Sequence, residues 1–266
     1  MEWGRVKNIL IVLLLCVNIF LGVNIYSQLS SRRSAEEDAV VSVSQTLSEN
    51  GIYINAQRIL ALAEQSYSFT SRRDPAAERR FAEALIGSAE PYDPGGGILS
   101  FRSEAGEVNL RRGGGIDAVL NGVSPAENAG EYFFALLSSA GLDIAGAEAE
   151  AVDGRVTFRQ KLNDLGTVSN AELTCYFVGG SAHISGRWLL APSPVRHVRV
   201  PERHELMLAL SEIMRQKGDS VLTSAAESFY IASFSKDEIE IIPVWIVHLS
   251  KETFIFDIAN KQLLEN

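Results

Sequence analysis

The residues able to do chemistry are few and poorly arranged for it. There are four histidines, His183, His197, His204 and His248. Around His183 the sequence alternates, with Ala182, Ile184 and Trp188 on one face and His183, Ser185 and Arg187 on the other, which turns this histidine to water. His248 shares parity with Ile242, Val244 and Ile246 in a run that is apolar on both faces, and reads as a core histidine. His197 and His204 lie seven apart with Pro201 between them, so they do not form a helical ligand pair, and no metal site is expected. Gly179-Gly180-Ser181-Ala182-His183 begins as a nucleophile elbow does, but it ends in His rather than Gly. Its flanks predict a hairpin turn rather than the strand-turn-helix that exposes such a serine. Ser233-Phe234-Ser235-Lys236 has the Ser-x-x-Lys spacing of penicillin-binding enzymes without a following Lys-Thr-Gly triplet. Both read as chance matches. Cys175 shares parity with Leu173 and Phe177 and reads as a small buried hydrophobe with no activating base nearby in sequence. Gly95-Gly96-Gly97 and Gly113-Gly114-Gly115 lack the Gly-Lys-Ser or Gly-Lys-Thr of a phosphate loop. No catalytic residue, cofactor or metal ligand is assigned. The pairs Arg32-Arg33, Arg72-Arg73, Arg79-Arg80 and Arg111-Arg112 read as solvated faces that offset an acidic body, with a specific anion or partner site as the alternative.

The chain has 266 residues, 46% of them hydrophobic, with a formal charge of −9 and two cysteines. That excludes a disordered chain, a polytopic membrane protein and a disulfide scaffold. Residues 1–33 hold four bases and one acid, leaving 20 bases against 32 acids, net −12, in residues 34–266. So acidic a body is a poor partner for nucleic acid or anionic lipid. Ile9 to Tyr26 runs 18 residues without a charge, about 27 Å of helix at about 1.5 Å per residue, which is close to a hydrocarbon core. No clean small-residue cleavage site follows, so the run reads as an uncleaved anchor rather than a signal peptide. Arg5 and Lys7 precede it and Arg32 and Arg33 follow, a slight positive-inside bias. The short basic tail is the layout of a signal anchor, which places residues 34–266 outside the cytoplasm. Within the span, Ile11, Leu15, Asn18 and Gly22 form one stripe. The amide of Asn18 gains from a partner across a helix interface, and Gly22 lets a neighbouring backbone approach, so the stripe is a candidate transmembrane interface.

After the anchor, helical periodicity covers Ala35 to Leu47 and ends at Asn50-Gly51. Asp74 as cap and Pro75 predict a second helix that stops at Gly87. Ser124 and Glu127 stand in capping-box spacing before a third, with Phe133, Leu136, Leu137 and Ala140 on one face. A fourth runs from about Glu202 to Lys217. Period-two stretches fill the remainder: Val156 to Leu162, Ala171 to Val178, Ala182 to Leu190, Ser228 to Ser233, Glu238 to Leu249 and Thr253 to Ile258. Gly51, Gly141 and Gly218 each end a helix and lead toward strand-like sequence, a weak internal repeat. The order predicts an α+β fold: a transmembrane helix followed by helix-plus-antiparallel-meander units. The expected division is tail and anchor in 1–33, a first extracytoplasmic subdomain in 34–120 and a second in 121–266. The glycine triplets flank a hairpin at residues 98–111 and suggest a subdomain boundary.

The opening Met1-Glu2-Trp3-Gly4-Arg5-Val6-Lys7-Asn8-Ile9, running into a span that contains Asn18 and ends near Tyr26, resembles the start of the YycI regulatory proteins of the YycH/YycI group. Ile242-Pro243-Val244-Trp245-Ile246-Val247, then Phe254-Ile255-Phe256-Asp257-Ile258-Ala259-Asn260-Lys261-Gln262-Leu263, resembles that family's closing hairpin. The resemblance covers the two ends of the chain and not residues 55–120. It implies a non-enzymatic, single-pass regulator with its body outside the cell. Such a regulator acts with a YycH-like companion on a sensor histidine kinase of cell-wall homeostasis, chiefly through transmembrane helix contacts, and the resemblance supplies no catalytic residue. The alternative is an anchored extracytoplasmic carrier of a lipid or peptide, and a third reading is a hydrolase using Ser181 and His183.

Overall fold

A computed structural model describes residues 3–62, 65–125, 127–162, 165–234 and 238–264. The fold is α+β, with a long N-terminal helix and a large, mainly antiparallel sheet. It divides into two compact units that interleave along the chain. One comprises Met1–Leu62, Pro201–Ser224 and His248–Glu252, and the other Ala63–Val200, Ala225–Val247 and Thr253–Asn266.

In the first unit, helix α1 (Trp3–Glu49) is unbroken for 47 residues. Its apolar front from Leu10 to Tyr26 is solvent-exposed, and the helix is long and apolar enough to cross a membrane. Its last turns pack against helix α5 (Arg203–Lys217) and the short helix α2 (Ala56–Leu60). Val40 and Leu47 are buried from α1, Ile59 from α2, and Leu206, Met207, Leu210 and Met214 from α5. Each such side chain contributes about 1.5 to 3 kcal/mol when removed from water. An ion pair stands beside the apolar contact: Arg203 Nη1 lies 3.4 Å from Glu36 Oε1, and Nη2 donates to the Leu62 carbonyl. Gly218 ends α5 in the left-handed conformation, φ 67°. Beyond it Val221 bridges Tyr53 in parallel, so the segments that follow two of the repeated glycines lie side by side. Asp219 accepts from the Ser250 hydroxyl at 2.7 and 2.8 Å and from the N–H groups of Ser220, Val221 and Lys251.

The second unit carries the sheet. Strand β1 (Gln65–Arg72) precedes helix α3 (Pro75–Ile86), which begins at the Asp74 cap and Pro75 and ends at Gly87 as the residues predict. A meander follows: β2 (Glu90–Gly95), β3 (Ile98–Ser103), β4 (Gly106–Arg111) and β5 (Gly115–Asn121). Helix α4 (Ala129–Ser139) leads to a second: β6 (Glu148–Val152), β7 (Arg155–Lys161), β8 (Thr167–Val178) and β9 (Ser181–Arg187). The two meanders join through their last strands, β5 and β9, which pair antiparallel from Gly115↔Arg187 to Asn121↔Ser181. Phe81, Ile86, Phe133 and Leu137 from the helices fill one core with Phe101, Val108, Ile116, Phe158, Leu173 and Ile184 from one sheet face. Strand β10 (Pro192–Arg199) pairs β1. The closing strands β11 (Leu222–Phe234), β12 (Glu238–Leu249), β13 (Thr253–Asp257) and β14 (Gln262–Leu264) pair in chain order, so α5 too is followed by a meander. A second core of Phe69, Val168, Phe229, Ile231 and Ile241 lies where β11 meets β8 at the parallel bridge Phe229↔Val168.

Some details depart from expectation. The α4 cap is Asn128, whose side chain accepts from Glu131 N–H at 3.2 Å, not Ser124. The glycine triplets do flank the expected hairpin at residues 98–111, which is β3–β4, and they form the β2–β3 and β4–β5 turns on either side of it. His248 is half-buried rather than in the core. Gly186 has φ 140°, and a Cβ there would stand 2.1 Å from the Glu172 carbonyl oxygen of the neighbouring strand, so only glycine lets β9 approach β8 at this point.

Trp245 and Phe256 are both fully buried, with ring centroids 6.1 Å apart. Trp245→Ala and Phe256→Ala should each lower the denaturant unfolding free energy by about 3 to 5 kcal/mol; a loss below a third of that would show that the site collapses onto the gap. Asp219 gives a pH test. The Ser250 hydroxyl, with the three N–H donors, holds its carboxyl down at about 2, against about 3.9 in an unfolded chain. Its stabilisation is therefore complete above about pH 4 and is lost as pH falls toward 2. Melting of the wild type should drop more steeply across that interval than melting of Asp219→Asn. Parallel curves would show that the carboxylate contributes nothing.

Candidate functional site

Three places could carry function. The first is the stripe on α1. Ile11, Leu15, Asn18 and Gly22 lie on one exposed face of an uninterrupted helix, and a Cβ added at Gly22 would meet nothing within 4 Å. In hydrocarbon the Asn18 amide has no water to bond, so a partner across a helix interface is worth about 0.6 to 2 kcal/mol.

The second is the sheet face not covered by α3 and α4. Directly paired residues share a face, so the register lays Ser100, Asn109, Asp117, Ser185, Thr174 and Thr157 in one polar row across six strands. In the next row His183 stacks on Tyr176, with ring centroids 5.1 Å apart and planes 7° apart, and the Arg155 guanidinium lies 5.5 Å from the Tyr176 ring. His183 thus faces outward as the alternation predicts. No hydrogen bond joins Ser181 to a histidine among the described residues. Ser235 and Lys236 of the Ser-x-x-Lys match lie outside the described residues. Cys175 is on the opposite, covered face, where burial pushes its thiol up to about 12, far from a reactive thiolate.

The third was not legible from spacing. Two of the four arginine pairs converge on one cleft of about 50 Å³, with Arg72-Arg73 arriving from the end of β1 and Arg111-Arg112 from the β4–β5 turn. Arg73 is consumed internally. Its Nε donates to both Glu78 oxygens at 2.8 and 3.0 Å, Nη1 to the Gly97 carbonyl at 3.0 Å and Nη2 to that of Leu110 at 3.4 Å. Burial raises the Glu78 carboxyl despite the opposing pull of Arg73, so this pair is a structural clamp between α3 and two hairpins. Asp74 is likewise occupied, accepting from the N–H groups of Ala76 and Ala77. On the rim Arg111 pairs with Asp117 at 2.8 Å and Arg72 with Glu238 at 3.7 Å. Among the described residues no group of three or more His, Cys, Asp and Glu is placed to hold a metal ion.

No protein-family model matches the chain, and no curated protein does. Two of the solved structures to which the chain is similar are these. An uncharacterized protein from Eubacterium rectale ATCC 33656 is 8% identical over 77% of this chain and 88% of its own, with a TM-score of 0.45. The Bacillus megaterium YpeB C-terminal domain is 10% identical over 74% of this chain and 100% of its own, with a TM-score of 0.32.

Proposed function

We propose that the protein is a single-pass membrane regulator, with its body outside the cytoplasm, that modulates a sensor histidine kinase of cell-wall homeostasis together with a YycH-like companion. The kinase and companion come from the resemblance of the two chain ends to the YycI regulators. The observation that favours this reading is the continuity of α1: one helix includes both the apolar span with its Asn18 stripe and the turns clamped to α5. From Tyr26 to Glu36, whose carboxylate pairs with Arg203 of α5, the helix extends about 15 Å at 1.5 Å per residue. A rod without a break transmits rotation and tilt between the span and the body, which is what a regulator working through helix contacts requires.

Protease added to intact protoplasts should digest the body. Survival of a full-length product would reverse the orientation, and a mature terminus near residue 27 would remove the anchor. Asn18→Leu combined with Gly22→Ile should weaken co-purification with the kinase and change its output while insertion and folding persist. Substitutions on the opposite face, at Leu13 and Phe20, should not; an equal loss there would abolish the face assignment. Alanine insertions between Ser27 and Ser34 test the rod itself. Two residues rotate the body by about 200° and should disturb output, while seven return it to nearly the original face and should restore it. Output indifferent to insertion length would mean that α1 is only a tether.

A further inference from the structure

The cleft between β1 and the β4–β5 turn contains one cation that the fold leaves unspent. Arg73, Arg111 and Arg72 each face a carboxylate, and the acids of the lining, Asp74, Glu78 and Glu238, are each engaged as a cap or an ion partner. Arg112 differs. No carboxylate pairs with its guanidinium among the described residues, yet its position is defined. Its backbone N–H donates to the Gly97 carbonyl at 3.1 Å, and its side-chain stem lies so close over Gly97 that a Cβ there would stand 2.7 Å from Cδ. Gly97 is therefore the seat on which the Arg112 stem rests, in a φ of 79° that suits glycine. The deeper walls are apolar, from Leu110, Ile116, Trp188, Leu189 and Leu190.

We propose that this cleft binds a free carboxylate carried on a small apolar residue, as at the C-terminus of a peptide, with Arg112 as the principal contact. A planar two-oxygen head matches one guanidinium fork in a bidentate pair. A phosphate dianion needs more free cations than the single one here. The cleft holds about 50 Å³ and opens to solvent, so it seats a carboxylate and a few carbons while the remainder of a peptide extends outward. The apolar walls suit a methyl-sized side chain beside the head. The rim arginines Arg72 and Arg111 add attraction at a distance, in a body whose remaining surface is strongly acidic and repels free anions.

The test is titration calorimetry on the full chain in detergent micelles with N-acetyl-Ala-Ala. Saturable binding is expected, at least tenfold weaker in Arg112→Gln and partly recovered in Arg112→Lys, with melting unchanged in both because the side chain is exposed. The same peptide with an amidated C-terminus should not bind. The absence of saturable heat, equal binding by the amide, or equal binding in Arg112→Gln would each overturn the site. Hexanoate binding as tightly as the peptide would overturn the peptide assignment in favour of a fatty acid, and inorganic phosphate binding as tightly would overturn the carboxylate assignment.

Discussion

The antiparallel pairing of β5 with β9 is the constraint on which the larger unit depends. Each of these strands closes its own meander, and each would otherwise present a row of unpaired backbone groups. Their union makes one surface of eight strands and fixes the parity of both halves at once. Because Ile116, Ala118 and Leu120 continue into Gly186, Ile184 and Ala182 across the pairing, α3 and α4 must cover the same side. A slip of one residue would turn the apolar set of one meander to water. The same parity creates the opposite face, where hydroxyl and amide side chains run in rows edged by ion pairs such as Arg159 with Glu150 and Glu172. Such exposed pairs contribute little individually, so that face is polar because the register dictates it, and not because it supplies stability.

How much of this was legible follows from the range of the interactions concerned. Strong local signals read correctly: Asp74-Pro75 opening a helix, Gly179-Gly180 turning a hairpin, the long apolar strand run of β12, and the burial of Cys175 by parity with Leu173. Strand β2 was missed because Glu90-Pro91-Tyr92-Asp93-Pro94 shows no apolar alternation and is exposed throughout; it exists as an edge, where proline costs no ladder bond on its outer side. The α4 cap was misassigned because Ser124 with Glu127 has capping-box spacing, while Asn128, the side chain that reaches the helix N–H groups, stands four residues later. The arginine pairs were visible as a composition oddity, yet their convergence depends on Arg73 reaching the Gly97 and Leu110 carbonyls, 24 and 37 residues further along the chain. No local pattern encodes contacts between elements so far apart in sequence.

Helix α1 has to satisfy two solvents with one periodicity. Its uncharged stretch from Ile9 to Tyr26 is apolar on all sides apart from Cys16, Asn18, Gly22 and Asn24, and of these Asn18 and Gly22 share one face. Its last four turns are amphipathic, and there Glu36, Val40 and Leu47 select the face toward α5. Since the helix is continuous, the azimuth chosen by Val40 and Leu47 also determines which way Asn18 points, although these residues lie more than 30 Å apart at about 1.5 Å per residue. In the proposed orientation the stalk between Tyr26 and Glu36 also answers an electrostatic problem. A body of net −12 held directly on anionic headgroups would be repelled, but about 15 Å of helix exceeds the Debye length of about 8 Å at physiological salt. Arg32 and Arg33 lie within that stalk, where basic side chains meet the headgroups. In that orientation the basic residues stand nearest the headgroups, while the first acids beyond the span, Glu36, Glu37 and Asp38, begin about 15 Å along a helix that continues without a break from it.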